Sequence, residues 1–179
     1  MLTRPRTLHT EQALYEAALR ALMRRAHSVY EMRQALERRA EEKAAVGRVL
    51  QRLKQERLLD DARYAKQFAR YHAESRRQGR YRITRDLRAR GVPDRHIEAA
   101  IEEVFAEVDE AAAIRRRIER RLRQFKGKDA RAALDARKLA SLFRSLLRAG
   151  FSGDAIRREL RSVSKAAAEL PAIEDAGIE

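Results

Sequence analysis

The chain has 179 residues, 41 of them basic and 27 acidic, giving a net charge of +14 at pH 7, with 38% charged residues, 6% aromatic residues and no cysteine. This composition excludes disulfides, thiolate nucleophiles and Cys-based zinc or iron–sulfur sites. It also leaves too little apolar material for one thick core, so an extended stack of small cores is expected.

Helix formers (Arg, Ala, Leu, Glu) dominate, Gly (7) and Pro (3) are scarce, and no alternating β-branched run occurs, which predicts an all-α chain. Residues 1–12 are short, basic and proline-containing and are expected to form a flexible arm. A first helix is predicted from about Ala13, with Leu14, Ala18, Leu19 and Leu22 on one side. Ser28 and Glu31 then form a capping box that opens a second helix bearing Met32 and Leu36 and fading near Ala40. Val46, Leu50 and Leu53, at i, i+4 and i+7, place one apolar stripe on a third.

The same pattern returns as Ile83, Leu87, Gly91, Ile97, Ile101 and Val104, and again as Leu142, Leu146, Gly150, Ile156, Leu160 and Val163. Val46 and Ile97 lie 51 residues apart, Ile97 and Ile156 59, periods that belong to arrays of helical units rather than to heptads. Either Asp60 or Asp61 is placed to cap the helix carrying Tyr64, Phe68 and Tyr71, three aromatics at core spacing. Gly79 occupies the junction that Ser28 holds one period earlier. Gly91 and Gly150 are expected to end helices in the left-handed conformation, and Ser152 to cap the last one.

Ile114, Ile118, Leu122 and Phe125 open the third unit in phase, so the nine extra residues fall between about Phe125 and Lys138. The predicted organisation is an arm over 1–12, three-helix repeats over 13–59, 60–108 and 109–165, with an insertion near 126–137 in the third, and an acidic tail over 166–179. Three such repeats would stack into an elongated array.

Basicity is uneven: the net charge is +4 over residues 1–61, +4 over 62–108 and +10 over 109–165, while the tail carries four acids and no base. Basic residues recur at the junction of the first two helices of each unit: Arg24 and Arg25; Arg76, Arg77, Arg80 and Arg82 around Tyr81; and Lys126 and Lys128. Together with Arg85, Arg116 and Arg120 they are the candidate binding residues. In a stack, equivalent junctions would form an electropositive edge suited to phosphate or to an acidic protein face. His9, His27, His72 and His96 show no ligand spacing, and Gly127-Lys128 lacks the rest of a phosphate-cradling loop, so neither a metal, a cofactor nor an enzymatic activity is expected. The absence of an apolar leader in MLTRPRTLHT, and of any stretch long and apolar enough to span a bilayer, leads to the expectation of a cytoplasmic protein.

Ser28-Val-Tyr-Glu-Met32 with Leu36, Leu58-Leu-Asp-Asp-Ala-Arg-Tyr-Ala65, Gly79 followed by Ile83 and Leu87, Arg90-Gly-Val-Pro93 and Arg148-Ala-Gly-Phe151 together resemble the RecX family of bacterial regulators of the RecA recombinase. The resemblance spans about residues 13–163. It implies a curved array of three tandem three-helix repeats, a monomer, that lodges in the groove of the RecA filament on DNA, restrains ATP hydrolysis, strand exchange and filament growth, and in some members binds DNA directly. Ala40, where the family has glycine, and the acidic tail depart from it. A different reading takes the helix, glycine turn and helix of residues 87–101 as one of several tandem helix-turn-helix units in a DNA-binding regulator acting without RecA. The predicted helix starts Glu41-Glu-Lys43, Asp94-Arg-His96 and Gly153-Asp-Ala155 share no base-reading pattern, which counts against it.

Overall fold

The computed structural model of the protein describes residues 7–123 and 136–162, and among these it contains α-helices and no strand. The helices are α1 (Glu11–Arg24), α2 (Val29–Glu37), α3 (Lys43–Gln55), α4 (Asp61–Glu74), α5 (Arg80–Arg88), α6 (Asp94–Glu107), α7 (Glu110–Leu122), α8 (Ala136–Arg148) and α9 (Gly153–Arg161). Two compact units divide the chain: residues 1–69 with 86–101, and 70–85 with 102–179. Helices α4, α5 and α6 therefore each belong partly to one unit and partly to the other. The expected insertion, Lys126, Lys128, Val163 and the acidic tail lie outside the described residues.

In the first unit the predicted stripes close on one another. Leu14 and Ala18 of α1, Met32 and Leu36 of α2, and Val46, Val49, Leu50 and Leu53 of α3 share one core and are at most 2% exposed. Each of these side chains larger than alanine contributes about 2 kcal/mol through removal from water. Ser28 forms the predicted capping box: its Oγ accepts from Glu31 N–H at 3.0 Å, and Glu31 Oε2 accepts from Ser28 N–H at 3.2 Å. Both aspartates cap, at different helices. Asp60 Oδ1 accepts the Arg63 N–H of its own helix at 3.0 Å, whereas Asp61 Oδ1 reaches back to the Val29 N–H at the start of α2, at 2.9 Å.

The first twelve residues are not all arm. Leu8 pairs with the α2–α3 turn, its N–H on Arg39 O at 2.7 Å and its carbonyl on Glu41 N–H at 3.1 Å, and Thr10 caps α1, which starts at Glu11 rather than Ala13. The Arg39 carbonyl and the Glu41 N–H of that turn are thereby satisfied by the chain's own N-terminal segment. The aromatic stripe of α4 also differs from expectation: Tyr64 is buried and Phe68 half-buried, but Tyr71 is 50% exposed. Ala65, Ala69 and Ala73 take the buried face instead.

In the second unit, Ile114, Ile118 and Leu122 of α7, Leu139, Phe143 and Leu146 of α8, and Phe151, Ile156 and Leu160 around α9 form a second core. Gly150 ends α8 at φ +91 and Ser152 caps α9 through the Ala155 N–H at 3.2 Å, both as the sequence predicts. Gly91, with φ +67, closes α5 in the first unit in the same way.

Candidate partner interface

Each unit contains one seam built at the position held by Ser28 in the first repeat and Gly79 in the second. In the first unit the Ser28 hydroxyl, 0% exposed, donates to Arg90 O at 2.6 Å, just before the Gly91 turn. In the second, Gly79 N–H donates to Ala149 O at 2.9 Å and Tyr81 N–H to Gly150 O at 3.1 Å. A side chain at Gly79 is sterically barred, because a Cβ there would overlap the Gly150 carbonyl. These seams hold the basic junctions against fixed backbone.

At the first junction Arg24 is exposed at the end of α1. Arg25 is committed to the scaffold: its Nη1 and Nη2 lie 3.1 and 3.3 Å from the two Glu31 oxygens, and Nη1 also donates to Ala26 O. Burial pushes the Glu31 carboxyl up, but hydrogen bonds from Arg25 and the Ser28 N–H, with the charges of Arg25 and Arg90, outweigh it and hold the pKa below the ordinary value. A depressed folded-state pKa means stability that is present above the unfolded pKa and lost as pH falls through the folded one. Urea titrations at a series of pH values below about 5 should therefore show a loss of stability in the native chain that is smaller in Glu31→Gln; parallel curves would remove the assignment.

The second junction, with Arg76, Arg77, Arg80 and Tyr81 exposed, lies wholly in the second unit. Helix α4 ends at Glu74, and the His72 ring and carbonyl engage Gln78 at 2.8 and 3.0 Å, turning the chain sharply. Arg77 sits in that turn at φ +51, a conformation costing a non-glycine residue about 1 kcal/mol. The turn is clamped by Arg117 of α7, whose Nε donates to Arg77 O at 3.0 Å and whose Nη2 donates to Arg76 O at 3.1 Å. The side chains of Arg76 and Arg77 are thus spared while their carbonyls are used. Arg76 lies 5.7 Å over the Tyr71 ring, and Arg80 lies 3.6 Å from Glu110 and 5.1 Å over Phe105. Arg82 is half-buried, its Nη1 on Arg148 O at 3.3 Å, and Arg85 is exposed.

Arg116 and Arg120 are exposed on α7. Arg117 is not among the residues expected from sequence, where it is one of three consecutive arginines; it stands three positions after buried Ile114 and is held by the Arg76 and Arg77 carbonyls. Burial first, then the guanidiniums of Arg120, Arg82 and Arg77, lower its pKa. Arg24 and Arg25 belong to one unit and Arg76–Arg85, Arg116 and Arg120 to the other. Among the described residues no group of carboxylates and imidazoles has a metal-binding arrangement, and no helix is long and apolar enough to cross a membrane.

Residues 15–53 match the family model described as RecX, first three-helix domain, and residues 60–101 that described as RecX, second three-helix domain. A regulatory protein RecX from Halorhodospira halophila is 40% identical over 146 residues, covering 82% of this chain and 85% of that one. The chain belongs to the RecX family. The regulatory protein RecX of Trichlorobacter lovleyi is 34% identical over 147 residues, 80% of this chain and 91% of its own. In fold, the RecX crystal structure from Lactobacillus salivarius matches with a TM-score of 0.73 at 20% identity, covering 86% of this chain and 96% of that one. The chain thus carries the first and second three-helix domains of the family, and exposed Arg24, Arg25, Arg76, Arg77 and Arg80 stand at the junctions between the first and second helices of the two.

Proposed function

We propose that this RecX protein binds the RecA filament on DNA and restrains its ATP hydrolysis, strand exchange and growth, as a cytoplasmic, monomeric, non-enzymatic regulator of recombination and DNA repair without a cofactor. The observation that carries the reading is the basic junction of the second repeat: exposed Arg76, Arg77 and Arg80 on a backbone clamped by Arg117, with Arg120 close enough to Arg117 to act on its charge. A rigid array of guanidiniums suits a nucleoprotein surface, because it binds phosphates and carboxylates bidentately with little loss of order. That the chain keeps an arginine at the strained Arg77 position, where glycine would rest without cost, favours a role for the side chain. Repeats bounded at 13–59, 60–108 and 109–165 would offer equivalent junctions, those of Arg24 and Arg25 and of Lys126 and Lys128 included.

Reversing Arg76, Arg77 and Arg80 to Glu is expected to raise the concentration needed to inhibit DNA-dependent ATP hydrolysis by RecA by about tenfold or more, with the circular dichroism spectrum unchanged. The clamp survives because it uses the carbonyls of Arg76 and Arg77, and Arg80→Gln in place of Arg80→Glu keeps a second carboxylate away from Glu110 if the triple variant does not fold. Normal inhibition by a folded triple variant would remove the junction from the interface. No effect of the native chain on RecA, together with sequence-selective binding to bare duplex, would overturn the filament reading in favour of tandem helix-turn-helix units.

A further inference from the structure

Three turns of the chain stand at one register: Arg39 and Arg90 lie 51 residues apart and Arg90 and Ala149 59, the periods of the apolar stripes. They join α2 to α3, α5 to α6 and α8 to α9. At each turn the carbonyl of that residue accepts a hydrogen bond from a segment earlier in the chain. The donor to Ala149 O is Gly79 N–H at 2.9 Å, and the donor to Arg90 O is the Ser28 hydroxyl at 2.6 Å. Arg39 O accepts from Leu8 N–H at 2.7 Å.

Ser28 and Gly79 stand directly before α2 and α5, whereas Leu8 belongs to no helix. It runs beside the turn, and its carbonyl takes the Glu41 N–H at 3.1 Å, so that Leu8 and Ala40 form an isolated parallel bridge. The turns also differ at their centre. Gly91 and Gly150 are left-handed, at φ +67 and +91, a conformation that is costly for alanine and that Ala40 does not adopt. The Leu8 side chain packs on the first core, His9 Nδ1 lies 2.7 Å from Glu41 Oε2, and Thr10 Oγ1 accepts from Ala13 N–H at 3.1 Å at the start of α1.

We propose that Leu8 and His9 form a releasable strap, which fills on the first three-helix domain the seat that Ser28 and Gly79 fill on the later turns, and whose release bares that seat to an extended peptide with an aliphatic side chain in the place of Leu8. The strap is the weakest held of the three. Ser28 is 0% exposed and fixed by its capping box, and Gly79 is hemmed in by the Gly150 carbonyl. Leu8 is only half-buried, and the His9 and Glu41 side chains are 68% and 62% exposed, so their pair adds little. Among the described residues the hold of the strap thus rests on two backbone hydrogen bonds and one leucine, contacts that open locally at far lower free energy than a core. Thr10 is the hinge, since its bond to Ala13 N–H keeps the start of α1 capped when the strap leaves. The main-chain pair gives the seat its affinity for any extended segment, and the apolar contact beneath Leu8 gives it its choice of side chain.

The test is amide hydrogen exchange at Glu41, read by nuclear magnetic resonance on the full native chain and on the full chain with Leu8→Pro, which removes the donor to Arg39 O. Loss of the two bonds is expected to speed exchange at Glu41 about 30-fold, while the amides of Val49 and Leu50 inside α3 exchange as in the native chain. An acetylated peptide of residues 6–10, added at millimolar concentration, should slow Glu41 again in Leu8→Pro and leave the native chain unchanged. Leu8→Cys with Ala40→Cys gives a second reading if Leu8→Pro does not fold, because the chain has no other cysteine. Oxidation should close a disulfide across the bridge and slow Glu41 below its native rate. Equal exchange at Glu41 in the native chain and a folded Leu8→Pro would overturn the strap, as would a folded double-cysteine chain that stays reduced under oxidant. Equal binding of the peptide by the native chain would overturn the strap as resident occupant, and no effect of the peptide on Leu8→Pro would overturn the seat. None of these outcomes involves RecA, so the strap stands or falls apart from the filament reading.

Discussion

Replacing Gly79 by alanine is expected to destabilise the protein by about 3–5 kcal/mol, measured as a fall in the urea midpoint at constant slope. The added methyl would meet backbone, the Gly150 carbonyl and the Phe151 nitrogen, not the movable end of a side chain. Relief requires the start of α5 to draw away from the α8–α9 turn. That motion lengthens the bonds from Gly79 N–H to Ala149 O and from Tyr81 N–H to Gly150 O, now 2.9 and 3.1 Å. Overpacking accounts for about 1–3 kcal/mol of the effect, and the two weakened hydrogen bonds for the remainder. Gly47 supplies the control, because a Cβ there meets nothing within 4 Å and the residue lies inside α3. Gly47→Ala should stabilise by up to about 1 kcal/mol. A Gly79→Ala variant as stable as the native chain would show that the seam is slack.

Ser28→Ala is expected to cost about 2–4 kcal/mol by the same measurement. One buried hydroxyl serves two partners here, accepting from Glu31 N–H at 3.0 Å and donating to Arg90 O at 2.6 Å. Removing it opens the first turn of α2 and leaves a buried carbonyl facing a methyl group. Glycine substitutes well for serine as a helix cap but restores nothing at Arg90. Ser28→Gly should therefore be less destabilising than Ser28→Ala by about 1 kcal/mol yet still clearly weaker than native. Two variants within about 0.5 kcal/mol of the native chain would remove the seam bond from the account.

The features that could be read from the chain are those in which a residue answers to its own helix. The apolar stripes of α2, α3, α7 and α9, the Ser28 box, the turns at Gly91 and Gly150 and the Ser152 cap are all set by neighbours within about five positions. What escaped is tertiary. Asp61 looks like a cap for the helix it begins, and only the placement of α2 shows that it serves Val29, 32 positions away. Arg117 is one arginine among three until the Arg76 and Arg77 carbonyls, about 40 positions away, are seen beside it. Tyr71 is exposed because Ala65, Ala69 and Ala73, whose weak hydrophobic signal hides them in the pattern, bury the flat face of α4 beside the aromatic one. The candidate binding residues are legible only as a recurrence of charge, and the Arg117 contacts to the Arg76 and Arg77 carbonyls need two segments about 40 positions apart brought side by side.

The two seams also bear on how such a chain can grow or be rebuilt. Ser28 and Gly79 stand at the same register of successive copies, yet one needs a hydroxyl to reach across and the other tolerates no side chain at all. The Ser28 position is therefore matched to the Arg90 carbonyl and the Gly79 position to the Gly150 carbonyl, and the two are not interchangeable. Duplicating or permuting a repeat would set a serine against a carbonyl it cannot clear, or a glycine against one it cannot reach. Lengthening the array requires matching the lock to the key at every new joint.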